Sequence, residues 1–391
     1  MREIYLDNSA TTPLCDAAKE KLNSLIDCYG NPSSLHTIGK NAEHELDEAR
    51  EIILSCLSVP GQINRKQNLI FTSSGTEANN LAITGVVCSK ERNKGKHIIT
   101  TATEHDSVLK TTEHLSKSGY KVSYINSPKG KLDIEQLKNS VTKDTLIVSA
   151  MLVNNETGSV NNINEIADIV HEINPETLIH CDAVQGFLKI PYSYYSKADL
   201  VTISAHKLNA LKGTGALFVK PEVLKLRALS PIIFGGGQEF GFRSGTQNTL
   251  GIAVFGASVK YHKENNYSIT KNYGELYSYI SEKITSLADL DVRINKPESD
   301  IIAHHIVNIY VRGIKSETLL HSLSSEGIYV SSGSACASNT NSKSHVLKNY
   351  GLSDSEIDSS IRVSFGIQNT KEDINCFISA LKESINKLRR K

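Results

Sequence analysis

The chain has 391 residues, enough for about two domains, and its 43 lysines and arginines balance 42 aspartates and glutamates. That balance gives no electrostatic pull toward nucleic acid or an anionic membrane, and no apolar run nears the ~20 residues that span a bilayer. The start Met-Arg-Glu-Ile-Tyr-Leu-Asp lacks a signal peptide's apolar core, and seven scattered cysteines show no zinc spacing, so a cytoplasmic chain without metal or disulfide framework is expected.

The predicted elements begin with a short extended start and turn over residues 1–13. Helical periodicity runs from Leu14 to Ile26. Tyr29-Gly-Asn-Pro-Ser-Ser-Leu-His36 is loop chemistry, and an amphipathic helix is predicted from Gly39 to Leu57, stopped by Pro60-Gly61. Next an apolar strand, Asn68 to Thr72, runs through Ser73-Ser74-Gly75-Thr76 into a helix. A glycine-containing turn feeding a helix N-terminus offers free N–H groups and a positive dipole end, which suits a phosphate. The spacing fits neither a Walker loop nor a dinucleotide fingerprint, and an ordinary capped helix would look the same.

Strand-like runs then recur with helical segments between them: 97–101, 120–125, 145–153, 177–181, 200–203 and 216–219. This alternation predicts an α/β fold, with a mostly parallel sheet covered by helices on both faces. Ligands of such sheets sit at the carboxyl ends of the strands. Polar clusters fall at those ends: Glu104-His105-Asp106, Asn154-Asn155-Glu156, Asp182 with Gln185, and Ser204 with His206-Lys207. A lysine just past a buried strand is open to desolvation, which turns an amine into a nucleophile of the Schiff-base kind. Lys207 is therefore the lead candidate, although this window alone also fits a solvated loop lysine.

Residues Gly235 to Gly245 hold five glycines in eleven positions, permissive enough for close backbone approach or for a flexible surface loop. One long helical stretch is predicted from Leu250 to Leu287. From Val292 the pattern becomes α+β, with Ile301 to Val311 strand-like, a helix near Glu317 to Ser325, Ile328 to Ser331 extended, and terminal helices from Ser355 and Glu372. The expected division is a large domain over 14–258 and a smaller α+β domain from 1–13 with 259–391.

Ten collinear motifs carry a resemblance that covers nearly the whole chain. They include Tyr5-Leu-Asp-Asn-Ser-Ala-Thr-Thr12, Phe71-Thr-Ser-Ser-Gly-Thr-Glu77, Thr103-Glu-His105, Asn154-Asn-Glu-Thr-Gly158, Asp182-Ala-Val-Gln185, Ser204-Ala-His-Lys207, Arg243-Ser-Gly-Thr246, Ser331-Ser-Gly-Ser-Ala-Cys336 and Ser360-Ile-Arg362. In this order they resemble the NifS-like cysteine desulfurases of the class V branch of pyridoxal-phosphate enzymes.

The resemblance implies a fold-type-I homodimer with shared active sites, pyridoxal 5'-phosphate as cofactor and L-cysteine as substrate. It implies that Lys207 bonds the cofactor as a Schiff base and that Asp182 pairs with the pyridine nitrogen, keeping the ring an electron sink. Gln185 and Asn155 would bond the ring's phenolic oxygen, Asn155 also lying near the substrate carboxylate, and His105 would stack on the ring. Gly75, Thr76, Ser204 and His206 would hold the phosphate, and Thr246 would reach the phosphate of the neighbouring subunit. Arg362 would bind the substrate carboxylate, for which its planar fork is suited. Cys336 would attack the substrate sulfur, keep it as a persulfide and pass it to a protein acceptor for iron–sulfur cluster assembly or tRNA thiolation.

Two stretches depart from the family pattern. Ala210 and Leu211 stand where Gly and Pro usually follow the lysine, and Phe240 stands where arginine is common, which predicts altered charge near the entrance. A class V aminotransferase or selenocysteine lyase, and a catalytically weak scaffold of the same fold, remain alternatives at this level.

Overall fold

The computed structural model describes residues 2–59, 64–89, 95–332 and 343–389. It opens with β1 (Ile4–Tyr5), α1 (Asp16–Ser24) and α2 (Thr37–Leu54). β2 (Leu69–Thr72) runs into α3 (Gly75–Val87), followed by β3 (His97–Thr101), α4 (Asp106–Lys117), β4 (Lys121–Ile125) and α5 (Ile134–Ser140). β5 (Thr145–Met151), α6 (Ile163–Ile173), β6 (Leu178–Asp182), β7 (Leu200–Ser204), β8 (Gly215–Val219) and the short α7 (Pro221–Lys225) complete the large sheet and its cover. The rest comprises α8 (Thr249–Glu264), α9 (Asn266–Thr285), β9 (Val292–Ile294), β10 (Ile306–Val311), α10 (Ser316–Ser325) and β11 (Ile328–Tyr329). The chain then runs through α11 (His345–Tyr350), α12 (Asp354–Asp358), β12 (Ser360–Ser364) and α13 (Lys371–Arg389).

The large sheet has seven strands in the order β2-β8-β7-β6-β5-β3-β4. Its pairs from β7 through β4 are parallel, and β8 runs antiparallel to both neighbours. The expected mostly parallel sheet is therefore present. Its inner strands are buried along their whole length, as a sheet covered on both faces requires. Successive residues serve opposite layers. Phe71, Ile99, Val148, Val201 and Phe218 pack in one apolar cluster with α2 and α8. Their neighbours Ile70, Ile98, Ile147, Leu200 and Leu217 pack in another with α3. A third cluster joins Ile4 and Leu6 to residues of α9, α10, α13 and the β9-β10-β12 sheet.

Three elements differ from the sequence reading. The stretch 250–287 is two helices that meet at Asn265, whose side chain donates to the Tyr261 carbonyl at 2.9 Å. Asn266 Nδ2 meanwhile reaches the Leu188 carbonyl at 2.6 Å, so short amide side chains compete with the helix here. The strand predicted from Ile301 begins only at Ile306. The helix predicted from Ser355 ends at Asp358 and gives way to β12, which pairs antiparallel with β10 and places Arg362 opposite Asn308.

Candidate active site

A cavity of about 260 Å³ opens where five strands of the large sheet end. β2 delivers Ser74, Gly75 and Thr76, β3 delivers His105, and β5 delivers Asn155; β6 ends on Asp182, followed by Gln185, and β7 on Ser204, followed by His206 and Lys207. Arg362 closes one side from β12. Ten of the twelve residues singled out in the sequence thus line one cavity. The eleventh, Thr246, does not, and Cys336 lies outside the described residues.

The glycine-containing turn has the expected geometry. Ser74 caps α3 by accepting the Glu77 N–H at 3.1 Å, and Gly75 and Thr76 open the helix, where N–H groups lack intrahelical acceptors. Gly75 has no room for a side chain, since a Cβ there would come within 2.9 Å of Val184 Cγ2. Across from it, Ser204 Oγ is buried without a protein partner. His206 Nδ1 lies 3.2 Å from Thr11 Oγ1. Burial first, and then the lysines around it, push the His206 pKa down to about 4, so this imidazole is neutral at pH 7.

At the other end, both carboxylate oxygens of Asp182 are held. Oδ1 accepts the Val184 N–H at 3.0 Å and Oδ2 accepts Asn79 Nδ2 at 2.7 Å. Lys207 Nζ donates to the carbonyls of Ser9 at 2.5 Å and Ala10 at 2.7 Å. The N-terminal segment therefore forms a wall of the site, and Gln185 Nε2 ties it down through the same Ser9 carbonyl at 2.8 Å. Gln185 Oε1, Ser9 Oγ and Asn79 Oδ1 are buried without protein partners.

An anion-seeking helix end, a fixed carboxylate, a lysine lining the same cavity and orphaned polar atoms together fit pyridoxal phosphate: a phosphate, a protonated ring nitrogen, an aldehyde carbon and ring substituents. Glu104, in the same cluster as His105, has another place. Burial pushes its carboxyl up to about 8, and Oε1 accepts from Thr101 Oγ1 at 2.6 Å and the Met151 N–H at 2.8 Å. It is a neutral strut behind the cavity.

Arg362 departs most from the sequence view. Its side chain is 1% exposed and already engaged: Nη2 pairs with Asp7 Oδ1 at 2.7 Å and Nη1 donates to the Asn155 carbonyl at 2.9 Å, while Nε has no protein partner. The fork is preset before any substrate carboxylate arrives. On the carboxylate-binding role expected of it, Arg362→Lys should raise the substrate KM about 10–100-fold with a smaller change in kcat, because a single ammonium cannot replace a planar fork of directed donors. Steady-state kinetics checks this.

The glycine-dense loop is pinned at two points. Glu239 forms a buried ion pair with Arg50 at 2.9 Å and accepts the Phe71 N–H at 2.8 Å, and Arg243 pairs with Glu77 at 2.8 Å. Both ties flank the Ser73–Thr76 turn, and Thr246 lines a smaller cavity of about 80 Å³ beside Ser73 and Arg243. Phe240 does not line the main cavity; its ring lies 5.1 Å from the Arg50 guanidinium. Glu239→Ala should cost about 3–5 kcal/mol by stranding Arg50, read as a lower urea midpoint.

The 209–211 departure is absorbed locally. The positive φ of 57° falls on Asn209, which tolerates it, and not on Ala210. Asn209 Nδ2 donates to the Pro13 carbonyl at 2.8 Å, and Ala210 is buried in the main apolar cluster.

Sequence reasoning missed Asp7, Ser9, Ala10, Asn79 and Ser107. The signal for Asn79 was present: an amide one turn after Gly75, on a helix face whose other buried residues are all apolar or glycine.

The family described as aminotransferase class-V matches residues 4–377. A cysteine desulfurase IscS of Dictyoglomus turgidum is 36% identical over 391 residues, covering 99% of this chain and 96% of the relative. A cysteine desulfurase IscS of Clostridium botulinum is 36% identical over 397 residues, with the same coverage. A solved structure titled NifS-like protein superposes with a TM-score of 0.88 at 32% identity, covering 100% of both chains.

Proposed function

The chain belongs to the aminotransferase class-V family, and from that premise we propose how this NifS-like cysteine desulfurase uses its cavity. The observation that carries the reading is the convergence of Lys207, Asp182 and the α3 N-terminus on one cavity at the strand ends. The enzyme is pyridoxal-phosphate-dependent and acts on L-cysteine. Gly75, Thr76, Ser204 and His206 would hold the cofactor's phosphate, Asp182 its ring nitrogen, Gln185 and Asn155 its ring oxygen, and Lys207 its aldehyde carbon. His105 would face its ring, and Thr246 would reach across a homodimer interface. The cofactor supplies an electron sink for the bonds at the substrate's α-carbon.

The protein's own residues do the rest. Arg362 orients the substrate carboxylate, and Lys207 Nζ carries the proton at the α-carbon. The Cys336 thiolate attacks the substrate sulfur. An S–S bond forms as the C–S bond breaks, and the electron pair returns to the carbon skeleton, which takes up a proton and leaves as L-alanine. The persulfide then passes to a protein acceptor for iron–sulfur cluster assembly or tRNA thiolation. We place the enzyme in the cytoplasm, where thiols such as that of Cys336 stay reduced. We also assign residues 14–258 to a cofactor-binding domain, and 1–13 with 259–391 to a smaller domain carrying Cys336.

Mass mapping of thiol-trapped peptides after incubation with L-cysteine tests this. One added sulfur atom on the Cys336 peptide, formed in step with L-alanine, is expected. Sulfur on another cysteine instead would overturn the assignment.

A further inference from the structure

We infer that Asn79 and Ser107 are positioning residues that fix the tautomer of His105, leaving Nε2 as its one protic ring atom. The inference rests on reading the cavity as the reacting centre, and it concerns how that centre is wired. Its starting point is a backbone donor. The Ser107 N–H points at His105 Nδ1 over 3.1 Å. An amide N–H can only donate, so Nδ1 carries a lone pair. Ser107 Oγ lies 2.9 Å from the same nitrogen, so the hydroxyl proton points there too.

The hydroxyl's own lone pairs then face Asn79, whose Nδ2 lies 2.8 Å from Ser107 Oγ. The second hydrogen of that amine reaches Asp182 Oδ2 at 2.7 Å. The amide cannot turn over without setting Asn79 Oδ1 against a carboxylate oxygen. One directed chain results. Asn79 donates to the Asp182 carboxylate and to Ser107, and Ser107 donates to the imidazole. Asn79, Ser107 and Asp182 are all buried, where such chains are strongest.

The surroundings hold the ring neutral in this form. His105 is the N-cap of α4, and the positive end of a helix dipole disfavours an imidazolium. Protonating Nδ1 would also set a new donor against two existing ones. Burial is the largest influence lowering the His105 pKa; among the charged groups facing it, Asp182 and Asp106 oppose that shift, and Lys207 and His345 add to it. His105 therefore enters the reaction as a donor at Nε2, and the network links its tautomer to the carboxylate that serves the ring nitrogen.

The test reads the ring nitrogens directly. Full-length holoenzyme labelled with ¹⁵N-histidine is compared as wild type, Ser107→Ala and Asn79→Leu, with His105→Gln used for assignment. At neutral pH the wild type should show an unprotonated Nδ1 and a protonated Nε2. Ser107→Ala, which removes a single oxygen, should titrate at higher pH, because one of two donors to Nδ1 is gone. Asn79→Leu should move it the same way but less, and Ser107→Thr, which keeps the hydroxyl, should restore the wild-type titration. A protonated Nδ1 in the wild type, or a Ser107→Ala titration identical to wild type, would overturn the inference. The signals are read without turnover, so an inactive protein with the expected tautomer would count against the desulfurase reading alone.

Discussion

Lys207→Ala should turn over L-cysteine at least about 10³-fold more slowly than wild type while remaining folded. Lys207 ends a short helical turn just after β7 and reaches the Ser9 and Ala10 carbonyls across the cavity. In the proposed mechanism, losing it removes both the amine that would bond the cofactor and the group that would move the α-proton. The structural cost is smaller, because Gln185 still donates to Ser9 and the segment is also tied at Thr12, which donates to the His206 carbonyl at 3.0 Å. Lys207→Arg sharpens the test. Arginine keeps the charge and can still reach backbone carbonyls, but it does not deprotonate in proteins. Arginine should therefore be as inactive as alanine and more stable. Sulfide and alanine release measure the first expectation and urea midpoints the second. Borohydride reduction should fix cofactor mass on the Lys207 peptide in the wild type only. Wild-type turnover in either variant would remove Lys207 from the chemistry.

What the sequence made legible follows from where information is local. The buried strands were readable because each is a short apolar run closed by polar residues, and the fold collects those closures at one edge. Lys207, Asp182 and His105 were found for that reason. Asn79 was not, because a helix interior gives no local sign of which carboxylate its side chain will meet; Asp182 lies more than 100 positions away. The state of Arg362 was equally hidden. Ser360-Ile-Arg-Val-Ser364 continues a polar stretch, and only the pairing of β12 with β10 and the approach of Asp7 bury the guanidinium. The split at Asn265 turns on two amide side chains finding carbonyls, one of them at Leu188 in a distant loop. Ala210 and Leu211 looked disruptive by comparison with a family pattern, yet the demanding backbone angle belongs to Asn209.

Cys336→Ala should abolish sulfide and persulfide formation from L-cysteine, to background or at least about 10³-fold below wild type. The variant discriminates because the proposed roles divide the chemistry, Lys207 moving the α-proton and Cys336 taking the sulfur. Lys207, Asp182, His105 and Arg362 keep every contact given above, so cofactor absorbance and affinity should match wild type. The early chemistry should survive as well. In deuterated water the variant should still exchange the α-proton of L-alanine or L-cysteine, within a few-fold of wild type, because the proposed mechanism assigns that proton to Lys207 and not to the thiol. Loss of sulfur release with retained α-proton exchange would place Cys336 at C–S cleavage alone. Loss of both would make Cys336 a structural support of the site. Undiminished sulfide release would remove the persulfide route and leave a chemistry confined to the α-carbon, as in a class V aminotransferase. Cys336→Ser should behave like the alanine variant, since a hydroxyl at neutral pH lacks the thiolate's nucleophilicity and cannot hold sulfur as a persulfide.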